Sequence, residues 1–282
     1  MMVENRPFRT ILTHAILILG IFIIIFPIYI TLVASTHQKK DVLSTVQPWF
    51  GDQFIENYTT ILKSGKKTAG GVPVWPMMIN SLIMAVGIVV GKISISIISA
   101  YAIVYFRFPL RMTFFWIIFM TLMLPVEVRI LPTFKVVADL GLLNTYAGLT
   151  IPLIASATAT FLFRQFFLTV PDELIEAARV DGAGPMRFFL TILLPLSRTN
   201  IAALTVILFI YGWNQYLWPL LITTEPKMMT IVMGVQRMLF VADSIPEWHL
   251  TMAFAILAML PPVVVVLAMQ RQFVKGLVET EK

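Results

Sequence analysis

Few residues in this chain could do chemistry, and the ones that interrupt its apolar stretches are mostly cations. Lys92 stands inside the apolar run Met77–Tyr105, and Arg129 follows Pro125 near the end of another. A lone charge in an apolar stretch is expected to face the bundle interior or a cavity, and the guanidinium fork of Arg129 can engage two oxyanion oxygens at once. Two readings of Lys92 stand: a substrate-path or gating charge, or a structural partner for a carbonyl or hydroxyl such as those near Ser94 or Ser96. Arg129 reads either as a phosphate receiver or, with Glu127, as an interfacial anchor; two residues apart, that pair does not meet on a regular helix. Trp213, Asn214 and Tyr216 interleave polar handles with large rings. An aromatic belt accounts for part of this. Asn214 needs a hydrogen-bond partner, either another helix or a substrate. The three histidines, His14, His37 and His249, are far apart, there is no cysteine, and no HExxH occurs. No catalytic residue and no metal site is therefore expected. Gly91-Lys92 falls short of a Walker A loop, because Val86 stands at its first glycine position and Ile93 at its Ser/Thr position, so no ATP cofactor is expected on this chain.

The segment from Pro171 to Pro195 is different in kind. Pro171, Asp172 and Glu173 suit a helix start, with acids near the positive end of the dipole. Leu174, Ala177 and Ala178 share one apolar stripe. Gly182, Gly184 and Pro185 end that helix, and Met186, Phe188 and Phe189 begin a second short apolar run. The pattern predicts a helix–turn–helix. Its apolar face either fits a groove on a soluble partner or lies at a membrane interface.

The rest of the chain must position these groups. It is 58% hydrophobic and 13% charged, with mean hydropathy +0.86, against about 25% charged for soluble domains. So few charges cannot cover a water-facing surface, and lipid is the expected surroundings. A bilayer core takes about 20 apolar residues as helix. Six stretches qualify: 11–33, 77–105, 114–133, 146–168, 201–223 and 250–269. The expectation is a single all-α domain over 1–282, a polytopic membrane bundle of about six transmembrane helices with an outer loop at 36–76. Gly87-xxx-Gly91 suits tight helix packing. The short alternating segments of a β-barrel are not seen. The first stretch exceeds the usual apolar length of a signal peptide, about 7–15 residues.

With the N-terminus inside, Arg6, Arg9, Arg107, Arg111, Arg164, Arg179, Arg187, Arg198, Arg271, Lys275 and Lys282 fall on the inner side. Arg129, Lys135, Lys227 and Arg237 fall on the shorter outer loops, and Lys39, Lys40, Lys63, Lys66 and Lys67 on the longer one. The shorter loops favour both termini inside; the long loop opposes it. The net charge of +6 reads as affinity for anionic lipid rather than nucleic acid, since the cations flank apolar stretches and form no stripe.

Glu176-Ala177-Ala178, three residues, Gly182, nine residues, then Ile192-x-Leu194-Pro195 matches at every fixed position the EAA-x3-G-x9-I-x-L-P loop of binding-protein-dependent ABC importer permeases. The chain resembles that family along its whole length. Within it, the chain is similar to the smaller permease subunits of bacterial sn-glycerol-3-phosphate importers and, more distantly, of maltose importers. Phe106–Arg111, Leu122–Ile130, Ser156–Gln165, Tyr211–Leu220, the opening Glu4–Pro7 and the close Gly276–Lys282 carry this closer likeness.

The resemblance implies that 171–195 is a cytoplasmic coupling helix docking into an ATPase subunit. Glu176 would face the ATPase or cap the turn, Ala177 and Ala178 would permit close approach, and Gly182 would allow the turn; Arg179, Asp181, Ile192, Leu194 and Pro195 complete the docking element. Implied partners are a sister permease, a dimer of ABC ATPase subunits that binds ATP-Mg, and a periplasmic binding protein, at the bacterial inner membrane. In maltose importers the sister permease supplies the sugar site, which by resemblance leaves this chain walling the cavity. A maltose-type sugar is the alternative substrate. A secondary transporter would need intramembrane carboxylates or matched repeats, and a membrane enzyme a cluster of His, Asp or Glu at one face; the sequence offers neither.

Overall fold

The computed structural model describes residues 7–63, 71–124, 126–239 and 246–278, with the backbone alone at 7, 122, 126–127 and 271–278. Arg6, Lys66, Lys67 and Lys282, and the terminal stretches Glu4–Pro7 and Gly276–Lys282, lie wholly or partly outside the described residues, as do the side chains of Glu127, Arg271 and Lys275. Among the described residues the secondary structure is helical throughout, and the architecture is an all-α membrane bundle. In chain order the helices are α1 (Pro7–Ala34), α2 (Lys39–Ser44), α3 (Phe54–Lys63), α4 (Val74–Tyr105), α5 (Arg111–Met120), α6 (Val126–Asp139), α7 (Tyr146–Thr150), α8 (Ala157–Phe167), α9 (Asp172–Val180), α10 (Pro185–Phe188), α11 (Leu194–Leu196), α12 (Arg198–Trp213), α13 (Leu217–Ile222), α14 (Ile231–Leu239) and α15 (Trp248–Val278).

Among the described residues, three continuous helices are long and apolar enough to cross a membrane: Phe8–Ala34, Val74–Tyr105 and Trp248–Gln270. They carry the stretches 11–33, 77–105 and 250–269. Pro261 and Pro262 lie inside α15 without ending it, as membrane helices allow when freed backbone groups find other partners. The stretches 114–133, 146–168 and 201–223 are broken helices, and the residues that break them explain why. Leu124 is extended (φ −85°, ψ 112°) between a 3-10 turn and α6, because Pro125 disfavours the helical region for the residue before it. Pro152 lies in a 3-10 turn at Ile151–Leu153, then extended Ser156 (φ −146°, ψ 104°) caps α8, accepting from the Ala159 amide, and the axis bends by 49°. The helix of the fifth stretch stops at Trp213 and resumes at Leu217, consistent with Pro219, which cannot continue a helical bond to the Gln215 carbonyl.

The chain divides into two compact units, 1–75 with 234–259 and 76–233 with 260–282. In the first, the segment 36–63 is folded against the end of α1. Asn57 donates to the Ser35 and His37 carbonyls at 2.9 Å each, Gly51 N donates to Thr36 Oγ1, and Ser35 meets the Tyr58 hydroxyl at 3.0 Å. Burial raises the Tyr58 phenol above its ordinary pKa, and the Ser35 bond opposes that. The apolar circumference of α1 is exposed along most of its length, which is the surface lipid requires.

In the second unit α4 is packed on two sides by small residues. A Cβ at Gly87 would fall 2.9 Å from Thr150 Cγ2, one at Gly91 would fall 2.8 Å from Ile154 Cβ, and one at Gly212 would fall 2.9 Å from Ala85 Cα. Gly87-xxx-Gly91 is therefore a packing face, where backbones approach because no side chain intervenes. The core around it joins Met84 and Ile88 of α4 to Ile130 and Val137 of α6, Leu149 of α7, and Trp218 and Ile222 of α13.

Candidate functional site: a helix–turn–helix and a cationic cavity

The segment 171–195 folds as α9, a turn, and α10 running through a π-helical stretch at Phe189–Leu193 into α11. The C-terminus of α9 closes on Gly182. The Gly182 amide donates to the Arg179 carbonyl at 3.0 Å and the Ala183 amide to the Ala178 carbonyl at 2.8 Å. That pairing is a Schellman cap, and Gly182 supplies its left-handed residue at φ +71°. A Cβ at Gly182 would have no atom within 4 Å. Glycine is needed there for its backbone freedom, not for space. The π turn ends just before Leu194-Pro195, where the proline ring would crowd the Thr191 carbonyl of a regular helix. The Ser197 hydroxyl donates to the Leu193 carbonyl at 2.7 Å, and Pro185–Leu196 meets α12 at 69°.

The two alanines separate. Ala178 is buried and lines a cavity of about 150 Å³ with Tyr101, Tyr105, Ile175 and Phe188, whereas Ala177 is exposed. Leu174, Ala177 and Val180 (88% exposed) form the open apolar face of α9, flanked by exposed Glu173 and Glu176. Arg179 and Asp181 are exposed, and Ile192, Leu194 and Pro195 are half-buried. The inner face is held to the end of α4. Tyr101 donates to the Pro185 carbonyl at 2.8 Å and Tyr105 to the Phe167 carbonyl at 3.3 Å. The rings of Tyr101 and Phe189 lie 4.9 Å apart, and those of Tyr105 and Phe188 5.5 Å. These tyrosines escaped the sequence reading because they fall inside an apolar stretch and only the fold brings them to the loop.

The second arrangement is a cavity of about 90 Å³ where the second and third helix breaks face α4 and α6. It is lined by Lys92 of α4, Arg129 and Thr133 of α6, Pro152, Leu153 and Ala155 at the second break, and Tyr211, Gln215 and Trp218 at the third. Lys92 is 8% exposed, and its Nζ stands 4.0 Å from the centre of the Tyr211 ring. Trp218 donates to the Gly148 carbonyl at 3.1 Å and serves as a wall. Gln215 donates one amide hydrogen to the Tyr211 carbonyl at 3.2 Å. Lys92 and Arg129 are thus brought together from positions 37 residues apart. Trp213, Asn214 and Tyr216 are not among the lining residues: Trp213 is buried against Phe209 with rings stacked at 5.8 Å, and Asn214 and Tyr216 are exposed. Among the described residues no group of three or more His, Cys, Asp or Glu could hold a metal ion.

Residues 92–279 match the family described as "Binding-protein-dependent transport system inner membrane component". The chain is 60% identical over 282 residues, covering all of both chains, to the sn-glycerol-3-phosphate transport system permease protein UgpE of Agrobacterium fabrum. It is 58% identical, again over the whole of both chains, to the protein of that name from Salmonella typhi. Its fold is also that of a chain in the crystal structure of a bacterial ABC transporter involved in the import of the acidic polysaccharide alginate. There the TM-score is 0.82 at 21% identity, over 97% of this chain and 99% of that one. This chain belongs to the family of inner membrane components of binding-protein-dependent transport systems, and is a permease subunit of an ABC importer.

Proposed function

We propose that this permease forms half of the pathway of an importer for sn-glycerol 3-phosphate and related glycerophosphodiesters. It would pair with a sister permease above a dimer of cytoplasmic ATPase subunits that bind ATP-Mg, and a periplasmic binding protein would dock on 36–76 and the other outer loops. The chain itself is then a non-catalytic subunit that binds no cofactor. Six crossings, through α1, α4, the α5–α6 pair, the α7–α8 pair, the α12–α13 pair and α15, leave both termini in the cytoplasm. The substrate rests on the relatives' names together with the full-length identity of 60%.

The observation that carries the coupling role is the α9–α10 element. One face is locked to the end of α4 through Tyr101 and Tyr105, and the other presents Leu174, Ala177 and Val180 to a partner. ATP binding draws the ATPases together and swings this element. Hydrolysis resets it, so ATPase and binding protein bias one two-state equilibrium. Tyr101 lies nine residues from Lys92, about 14 Å along the same helix, so movement of the loop reaches the cavity through α4. Tyr101→Phe removes the bond to Pro185 while keeping the ring. It is expected to lower ATP-coupled uptake about two- to tenfold, from loss of ~0.5–1.5 kcal/mol; measured against ATP consumed, an unchanged uptake-to-ATP ratio would exclude this link. The function itself is tested by uptake of labelled sn-glycerol 3-phosphate in cells lacking their own small permease for it. Restored uptake is expected. Restored maltose uptake instead, in cells lacking the maltose counterpart, would overturn the substrate.

A further inference from the structure

The cavity at the helix breaks contains more positive charge than the described residues balance. Lys92 is more than nine-tenths buried, and its one described interaction is with the face of the Tyr211 ring. Among the described residues no carboxylate and no hydrogen-bond acceptor meets its ammonium. A buried cation so placed is costly unless paired. Arg129 adds a second cation to the same walls. Two like charges facing one small space repel, and an anion with more than one charged oxygen relieves both costs together.

The surroundings fit such a guest. Two helix breaks meet here, and irregular backbone within a membrane protein is tolerated where it is buried in protein or lines a cavity. Gln215 stands beside the two cations, its side-chain amide bonded to the Tyr211 carbonyl at 3.2 Å. Trp218 and Tyr211 supply flat walls.

Depth separates two sources of phosphate. Lys92 is 18 residues from the start of α4 and 13 from its end, about 27 Å and 20 Å along the axis. A lipid headgroup would sit near one end of a crossing helix, not midway along it.

We propose that Lys92 and Arg129, with Gln215 beside them, form a subsite for the phosphate group of the transported phosphomonoester or diester. This rests on the proposed substrate class and places substrate recognition partly on this subunit.

The test compares uptake of labelled sn-glycerol 3-phosphate by the reconstituted complex carrying the wild-type chain, Lys92→Met, Lys92→Arg or Arg129→Gln, with the melting temperature of each complex. Both charge-removing variants should lose about tenfold or more of uptake, Lys92→Arg should recover part of it, and Lys92→Met should melt no lower than wild type. A lower melting temperature for Lys92→Met would make the lysine structural, and undiminished uptake in both variants would remove the subsite; either overturns the proposal. Vesicles with and without anionic lipid should give the same losses. Losses seen only with anionic lipid would assign the cations to headgroups and overturn it also. A wild-type complex that takes up no sn-glycerol 3-phosphate at all would instead sink the substrate class beneath it.

Discussion

Gly182→Val is expected to reduce ATPase stimulation by the loaded binding protein about fivefold or more, while Gly182→Asn stays within about twofold of wild type. The reasoning is conformational. Gly182 stands at φ +71° with no atom within 4 Å of the place a Cβ would take. Bulk alone therefore meets nothing within this chain. A β-branched residue held in that region is strained by roughly 1–3 kcal/mol, whereas asparagine visits it readily. The strain is relieved by undoing the Schellman bonds from Gly182 and Ala183, which turns α9 away from α10 and misaligns its open apolar face. A change of 1–3 kcal/mol in a two-state coupling is a factor of about 5–150, large for function and small for insertion into the membrane. Equal loss in Asn and Val variants would point to contact with the ATPase at this position instead of backbone strain.

The second large effect lies at the opposite end of α4. Asn80→Leu is expected to lower the melting temperature of the solubilised complex by several degrees. Asn80 is buried and makes three bonds far apart in sequence. Its amide donates to the Lys227 and Met229 carbonyls at 2.7 and 2.9 Å, and its carbonyl accepts from the Tyr146 hydroxyl at 2.7 Å. Next to it the Ser81 hydroxyl accepts from the Ile231 amide at 2.8 Å. Leucine leaves three polar groups without partners at a cost of roughly 2–4 kcal/mol, allowing for the weaker hydrogen bonds found in membrane proteins. Tyr146→Phe removes only one of the three and should cost less than half as much. Equal shifts for the two variants would mean that the Lys227 and Met229 bonds contribute little.

Hydropathy made the continuous helices α1, α4 and α15 legible, and the spacing of Glu176, Ala177, Ala178 and Gly182 marked the turn that α9 and α10 make. The breaks at Leu124, at Ile154–Ser156 and at Asn214–Tyr216 were not legible, because hydropathy counts apolar residues whether or not their backbones run straight. Pro125, Pro152 and Pro219 are the local causes, yet Pro261 and Pro262 leave α15 intact, so proline alone does not decide. The cavity was half legible. Lys92 and Arg129 stood out as charges in apolar surroundings, but Tyr211 lay hidden within an apolar stretch, and Gln215 and Trp218 follow the end of α12 at Trp213. Likewise, which alanine of the pair faces inward depends on Tyr105 and Phe188, which local sequence does not reveal.

The proposed coupling of ATP hydrolysis to entry of sn-glycerol 3-phosphate runs through α9–α10. The most direct measurement is the ATPase rate of the fully reconstituted complex with its binding protein, titrated with sn-glycerol 3-phosphate and separately with maltose, for the intact chain beside Gly182→Val. Stimulation by sn-glycerol 3-phosphate alone is expected, with its loss in the variant. Stimulation by maltose alone, or transport that proceeds without ATP, would contradict it.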